Sequence, residues 1–131
     1  MTAFGAVGDL YRMSVVKNNI VLANKAGAQE IYRHNGSIVA SVSANQDYSK
    51  LAFVADANAI DRYGGSYIYD AFLYDRITKK LDRITQKQHV REVHISADAS
   101  AIAFVANGDH KAYRDSIYVA NTKDKTVNRI R

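Results

Sequence analysis

An all-β fold is predicted by three observations in this 131-residue sequence. Short runs rich in β-branched and aromatic residues follow one another along the chain. Turn formers separate them, and no segment sustains a helical apolar stripe over three turns. A nine-residue phrase also occurs twice, as DYSKLAFVA at 47–55 and DASAIAFVA at 98–106, 51 residues apart (98 − 47). Evenly spaced short strands argue for a sandwich, barrel or propeller. The repeat selects four-stranded antiparallel β-propeller blades, because a period of roughly 40–50 residues is that of a blade.

The strands are expected in order at Ile20–Leu22, Ile38–Ala40, Leu51–Val54, Ala71–Tyr74, Val93–Ile95, Ile102–Val105 and Ile117–Val119. Lys17-Asn18-Asn19, His34-Asn35-Gly36-Ser37, Gly64-Gly65-Ser66 and Asn107-Gly108-Asp109 supply turns between them. Each Ala-Phe-Val-Ala is followed by a polar loop, an aromatic-aliphatic strand, a turn and a closing Arg-Ile. These are Phe72–Asp75 with Leu81–Thr85 in one copy, and Tyr118–Asn121 with Val127–Arg131 in the other. The loop after Ala55 is five residues longer than that after Ala106, a variation that belongs on a surface. A third, partial copy lies upstream, where Ile20–Lys25 echoes Ile117–Thr122 and Glu30–Arg33 stands near the closing strand. Residues 1–131 therefore read as one partial propeller domain, with blades at about 1–37, 38–88 and 89–131. Both faces of Leu51–Val54 and of Ile102–Val105 are apolar, as expected of strands sandwiched between blades.

Val42-Ser43-Ala44 with Asp47 and Leu51–Val54, and Ile95–Asp98 with Ile102–Val105, resemble the Ser-Pro-Asp-Gly … Ile-Ala-Phe core of TolB-type β-propeller repeats. Asp70–Arg76 with Arg83–Thr85 resembles the second half of the same repeat. The resemblance spans about residues 10–131 and implies a blade rather than an activity. This chain has Ala97 where that pattern has Pro, and Tyr48 and Ala99 where it has the turn Gly. A positive φ would cost such residues about 1 kcal/mol or more, so a turn suited to ordinary residues, such as type I, is expected. Propellers close with roughly 4–8 blades, and this chain has fewer than three full ones. The expectation is either a homo-oligomer, most simply a dimer closing the six-bladed ring typical of TolB-type propellers, or completion by the rest of a longer propeller.

Composition excludes several classes. The chain is 47% hydrophobic and 24% charged, as in folded proteins rather than disordered ones. It has no cysteine, hence neither a disulfide framework nor a thiolate metal site, and no proline. No apolar stretch is long enough for a membrane span. If Met1 is the natural start, the lack of a basic, apolar leader points to the cytoplasm. If the chain is a fragment of an exported protein, as the TolB resemblance favours, the periplasm or the extracellular space is expected. The net charge of +5 resides in segment 76–91, where Arg76, Lys79, Lys80, Arg83, Lys87 and Arg91 stand against Asp82. Such a patch can attract a polyanion. Because it holds no base-stacking aromatic, a solvated hairpin that protects a sheet edge is the favoured reading, and nucleic acid is not the expected partner.

Candidate binding residues are few. Glu92 and His94 alternate on one strand face and are expected to line a polar central channel with His89 and Asp98 nearby; no metal site is assigned, since zinc needs three or four ligands. Asp56, Asp61, Asp70 and Asp75 flank a long loop in a spacing that matches no EF-hand, and are expected as turn and strand caps. Asp47 and Asp98 are expected to accept backbone N–H groups in the turn after the innermost strand. Tyr63, Tyr67 and Tyr69 in that long loop either grip a peptide or sugar or pack over the blade edge. No Gly-x-Ser-x-Gly elbow, cysteine nucleophile or phosphate-cradling motif is present. The expected function is a non-enzymatic scaffold that binds a protein or peptide, without a cofactor. The alternative is a small-molecule- or metal-binding propeller, possibly one associated with a hydrolase, using the polar channel.

Overall fold

The computed structural model describes residues 12–16, 18–24, 27–34, 39–57, 68–107 and 115–130. These form eleven strands and, among the described residues, no helix. An N-terminal sheet holds β1 (Arg12–Val16), β2 (Asn19–Asn24) and β3 (Gly27–Arg33) in that order. A middle sheet holds β4 (Val39–Ala44), β5 (Lys50–Asp56), β6 (Tyr69–Asp75) and β7 (Lys80–Arg83). A C-terminal sheet holds β8 (Val90–Ile95), β9 (Ala101–Ala106), β10 (Ser116–Asn121) and β11 (Val127–Arg129). All pairings are antiparallel between consecutive strands. β1 carries no aromatic residue and was not among the expected strands.

Register explains why the middle sheet must lie between the other two. Side chains opposite one another across a pair share a face. Leu51 pairs with Tyr74 and Phe53 with Phe72, which builds a large, aromatic face. Ala52 pairs with Leu73 and Val54 with Ala71, which builds a small, aliphatic face. The aromatic face packs on Ile20, Met13, Val15, Ile31 and Tyr32 of the N-terminal sheet. Tyr32 lies 4.8 Å from the centroids of both Phe53 and Tyr74, and Phe53 stacks on Phe72 at 5.4 Å. Burial, and secondarily the neighbouring Tyr74, pushes the Tyr32 hydroxyl up to about 12, so it stays protonated. The aliphatic face packs on Val93, Ile102, Phe104, Ala106 and Ala120 of the C-terminal sheet. Buried rings of this kind carry about 3–5 kcal/mol each against truncation to Ala.

The two faces of the C-terminal sheet differ, contrary to the expectation for Ile102–Val105. Ile102, Phe104 and Ala106 are buried against the middle sheet, while Ala101, Ala103 and Val105 are only half-buried. Nothing among the described residues packs on that second face.

The repeated phrase forms a matched pair of corners. Tyr48 N–H donates to Asn45 O at 3.2 Å, and Ala99 N–H to Ser96 O at 3.0 Å. Asp47 Oδ1 accepts the Ser49 amide, and Asp98 Oδ1 accepts the Ser100 amide, each at 3.0 Å. The expectation of a corner comfortable for ordinary residues is corrected here, because Tyr48 has φ 61° and Ala99 φ 62°. The turn residues themselves are ordinary, but the chain must then re-enter the next strand through a left-handed residue. The Asp-centred hydrogen bonds hold that conformation against its steric cost. Ala99→Gly is expected to stabilise the fold by about 0.5–1 kcal/mol, the left-handed penalty less the extra chain entropy of glycine. A higher urea midpoint checks it; a lower one means the buried methyl outweighs the relieved strain.

Candidate functional site

The middle and C-terminal sheets meet along their innermost strands, β4 and β8. Ser41 and Ser43 project from β4, and their hydroxyls accept the β8 amides of Val93 at 3.4 Å and Ile95 at 3.0 Å. Gln46 N–H donates to Ala97 O at 3.0 Å and ties the two corners together. The edge of β8, which pairs only with β9, thereby gains partners from the preceding sheet. These serines escaped sequence reasoning, although each stands 51 residues before a residue that was singled out: Ser41 before Glu92 (92 − 41) and Ser43 before His94 (94 − 43).

Glu92 and His94 are brought together, with His94 Nε2 2.9 Å from Glu92 Oε2. Glu92 pairs with Val105 and His94 with Ala103, so both stand on the uncovered face of the C-terminal sheet. They are exposed there because no sheet lies against them. His89 lies nearby at the start of β8 with φ 54°. No group of three or more His, Cys, Asp or Glu gathers among the described residues.

The uncovered face repeats the covered aliphatic one position by position. Ala103 and Val105 hold the places of Ala52 and Val54, and Ile117 and Val119 those of Ala71 and Leu73. Ile130 N–H donates to Ile117 O as Ile84 N–H donates to Ala71 O, so Ile130 holds the place of Ile84. In the middle sheet Ala71 and Ile84 are 0% and 5% exposed; in the C-terminal sheet Ile117 and Ile130 are 43% and 63% exposed. An apolar row of this kind in water signals a surface that is meant to be covered.

The basic segment does not form one patch. Arg83 donates to Asp70 Oδ2 at 2.7 Å and is mostly buried, whereas Arg91 pairs with Asp115 at 3.1 Å on β8. Arg76 donates to Tyr48 O at 2.7 Å, and Lys80 lies 3.9 Å from Asp82. Lys79 is exposed in the β6–β7 turn with φ 64°, and Lys87 sits in the linker before β8 with φ 55°. A groove of about 320 Å³ beside this region is lined by Lys50, Lys80 and Lys123 but also by Asp75 and Asp82, so it carries both signs.

Asp70 is the anchor of the linker between the two sheets. Fully buried, it accepts from the Arg83 guanidinium, from the Thr85 hydroxyl at 2.6 Å and from the Lys87 and Gln88 amides at 2.9 Å. The linker into the middle sheet uses a different anchor. His34 Nε2 lies 2.9 Å from the Asp56 carbonyl, which can only accept, so Nε2 carries the proton and Nδ1 accepts from Tyr32 at 3.1 Å. Asp56 Oδ1 accepts the Ile68 amide, and Asp75 Oδ1 those of Ile77 and Thr78. These aspartates are strand and turn caps. Tyr69 is half-buried against the inter-sheet core, while Tyr63, Tyr67 and Asp61 lie outside the described residues.

Antiparallel sheets of three and four described strands, stacked face to face, superpose on known rings. About nine-tenths (91%) of the chain matches TolB from Acinetobacter baumannii with TM-score 0.65 at 18% identity. The fold is that of a β-propeller. Its ring is incomplete, with blades corresponding to the three sheets. The putative TolB from Agrobacterium tumefaciens matches with TM-score 0.66 at 13% identity, again over 91% of this chain. An acylaminoacyl peptidase in complex with Z-Gly-Gly-Phe-chloromethyl ketone matches over 93% with TM-score 0.59 at 13% identity. The chain spans only 30%, 42% and 22% of these three proteins, so it is similar to a part of each. No family model matches the sequence, and no curated protein matches it. Identities this low speak to fold alone.

Two outcomes test the anchors. Asp70→Ala is expected to cost about 3–5 kcal/mol, because it leaves Arg83 and two linker amides without their acceptor; urea unfolding measures it, and a loss under 1 kcal/mol would be incompatible with that role. Asp98 is held down to about 2, first by the Ser100 hydroxyl, then by the Ser100 amide and the Ser96 hydroxyl. A carboxyl lowered on folding stabilises above its unfolded value, near 4, and loses that contribution as pH falls through about 2. The unfolding midpoint should therefore fall between these pH values, and fall less steeply in Asp98→Asn.

Proposed function

We propose that this chain is part of a non-enzymatic β-propeller scaffold that presents its loops and central opening to a protein or peptide partner. The observation that carries the reading is the uncovered face of the C-terminal blade, which keeps the apolar set of an inter-blade contact. A surface built to stack on a neighbour belongs to a scaffold assembled from such units. The ionisable groups support the non-enzymatic part. Asp47, Asp70 and Asp98 are committed to turn and linker hydrogen bonds, which leaves them no reacting group to activate. The blades that close the ring come from a second copy of the chain or from further repeats. A hydrolase-associated role is the second reading, favoured by the likeness to part of an acylaminoacyl peptidase. The propeller would then accompany a catalytic domain rather than supply the nucleophile.

Left bare, the C-terminal face makes the isolated chain self-associate. Light scattering across the micromolar range is expected to give a mass above 14.5 kDa that rises with concentration. The double variant Val105→Asp, Ile117→Asp should return it to the monomer. A compact wild-type monomer at every concentration, with no binding of a hydrophobic dye, would refute the reading.

A further inference from the structure

The two ends of the stack are not equivalent, and the difference says what can complete it. In the middle and C-terminal blades, the face turned toward the preceding blade is aromatic: Phe53, Phe72 and Tyr74 in one, Phe104 and Tyr118 in the other. The N-terminal blade should present the same kind of face outward. Register places Met13, Val15, Ile20 and Leu22 on its packed side, so Arg12, Ser14, Val16, Val21 and Ala23 form its outer side. Ser14 thus stands where Phe53 stands in the next blade, Val21 where Phe72 stands and Arg12 where Leu51 stands. Among the described residues the aromatic knobs are gone and a charge has entered. This outer side is mixed, with Arg12 and Ser14 beside Val16, Val21 and Ala23, and it lacks the rings that an aliphatic row receives.

The opposite end keeps the apolar row that a successor packs on, although Ser116 stands where Asp70 anchors the linker one blade earlier. The small aliphatic row Ala103, Val105, Ile117, Val119 and Ile130 matches the row that receives Phe104 and Val93 within the molecule. Glu92 and His94 hold the places of Ser41 and Ser43, whose hydroxyls accept the inner-strand amides of the following blade. A carboxylate and an imidazole are likewise acceptors.

We propose that the uncovered face of β8–β11 is a one-sided seat for one further blade of the aromatic-faced type, whose innermost-strand N–H groups bond to Glu92 and His94. The seat continues the β4–β8 interface by one repeat. A second copy of this chain does not offer that occupant: its aromatic faces are already buried, the described outer side of its N-terminal blade has no aromatic ring and carries Arg12, and its other free face is the same aliphatic row. The inference rests on the scaffold reading and narrows it, because head-to-tail closure of two copies into six blades would set the ring-free N-terminal outer side, with Arg12, against the aliphatic row.

The absence of cysteine allows a direct test by single-site labelling. Arg131 holds the repeat position of Thr85 (130 − 84 = 131 − 85), so a second copy of residues 86–131 joined after Arg131 extends the chain in phase by one blade. At concentrations dilute enough to keep it monomeric, Ile117→Cys should react quickly with a maleimide in the 131-residue chain and at least roughly tenfold more slowly in the extended chain, as a site that opens only transiently. Val16→Cys, on the outer side of the N-terminal blade and 56% exposed, should react quickly in both. In the extended chain Glu92→Ser with His94→Ser should keep the protection, and Glu92→Leu with His94→Leu should weaken it. Equal labelling of Ile117→Cys in the two chains overturns the proposal even if the native chain self-associates. Protection of Val16→Cys as that native chain oligomerises overturns the one-sidedness. Equal protection in the serine and leucine variants overturns the role of Glu92 and His94.

Discussion

A four-stranded sheet with two apolar faces cannot be stable alone, and the rest of this molecule depends on how that constraint is met. The middle blade meets it completely: Leu51 through Ala55 are wholly buried because rings cover one face and aliphatic side chains fill the other. Rings from one blade enter mostly aliphatic rows of its neighbour, with Tyr32 the exception. Phe104 and Val93 enter the row of Ala52, Val54 and Ala71, and Met13, Val15 and Ile20 receive Phe53 and Phe72. This alternation lets two pleated surfaces approach without voids.

Apolar packing fixes the separation of the blades, and polar groups fix their alignment. Non-directional burial would tolerate sliding of one sheet over another. Ser41 and Ser43 set the height of β8 against β4, and Gln46 with Ala97 sets the corners. The buried carboxylate of Asp70 holds the linker so that β8 starts at the right place. His34 does the corresponding work one blade earlier through the Asp56 carbonyl. Two different chemistries thus hold the two linkers, one a buried carboxylate and the other a buried imidazole.

Function follows from the same economy. The loops and the open face are the surfaces left over once the blades are aligned, and the aspartates that catch the eye in the sequence are spent on turns. Among the described strands, Glu92 and His94 stand apart, because a hydrogen-bonded pair of titratable side chains occupies a face lined mainly by alanine, valine and isoleucine. Inside the molecule that position carries serines that serve the next blade. The couple thus occupies a position that inside the molecule belongs to an interface between blades.

Much of this was legible in the sequence. The echo of DYSKLAFVA in DASAIAFVA marked the corner and second strand of two blades, and Asp47 and Asp98 read as turn anchors. Strand identity was legible because β-branched and aromatic residues fit a pleated, half-buried surface wherever they fall. β1 was missed because RMSVV carries too weak an alternation on its own. Two kinds of fact required the tertiary structure. One is backbone sign: nothing in Tyr48 or Ala99 announces a left-handed φ, which the geometry of re-entering the strand imposes. The other is what lies across from a side chain. Spacing alone placed Glu92 and His94 together and Arg83 in a basic run, yet only the stacking of sheets put the couple on a bare face and drew Arg83 inward to Asp70. Local chemistry determines the strand; the partner across the gap, which is distant in sequence, determines what each face is for.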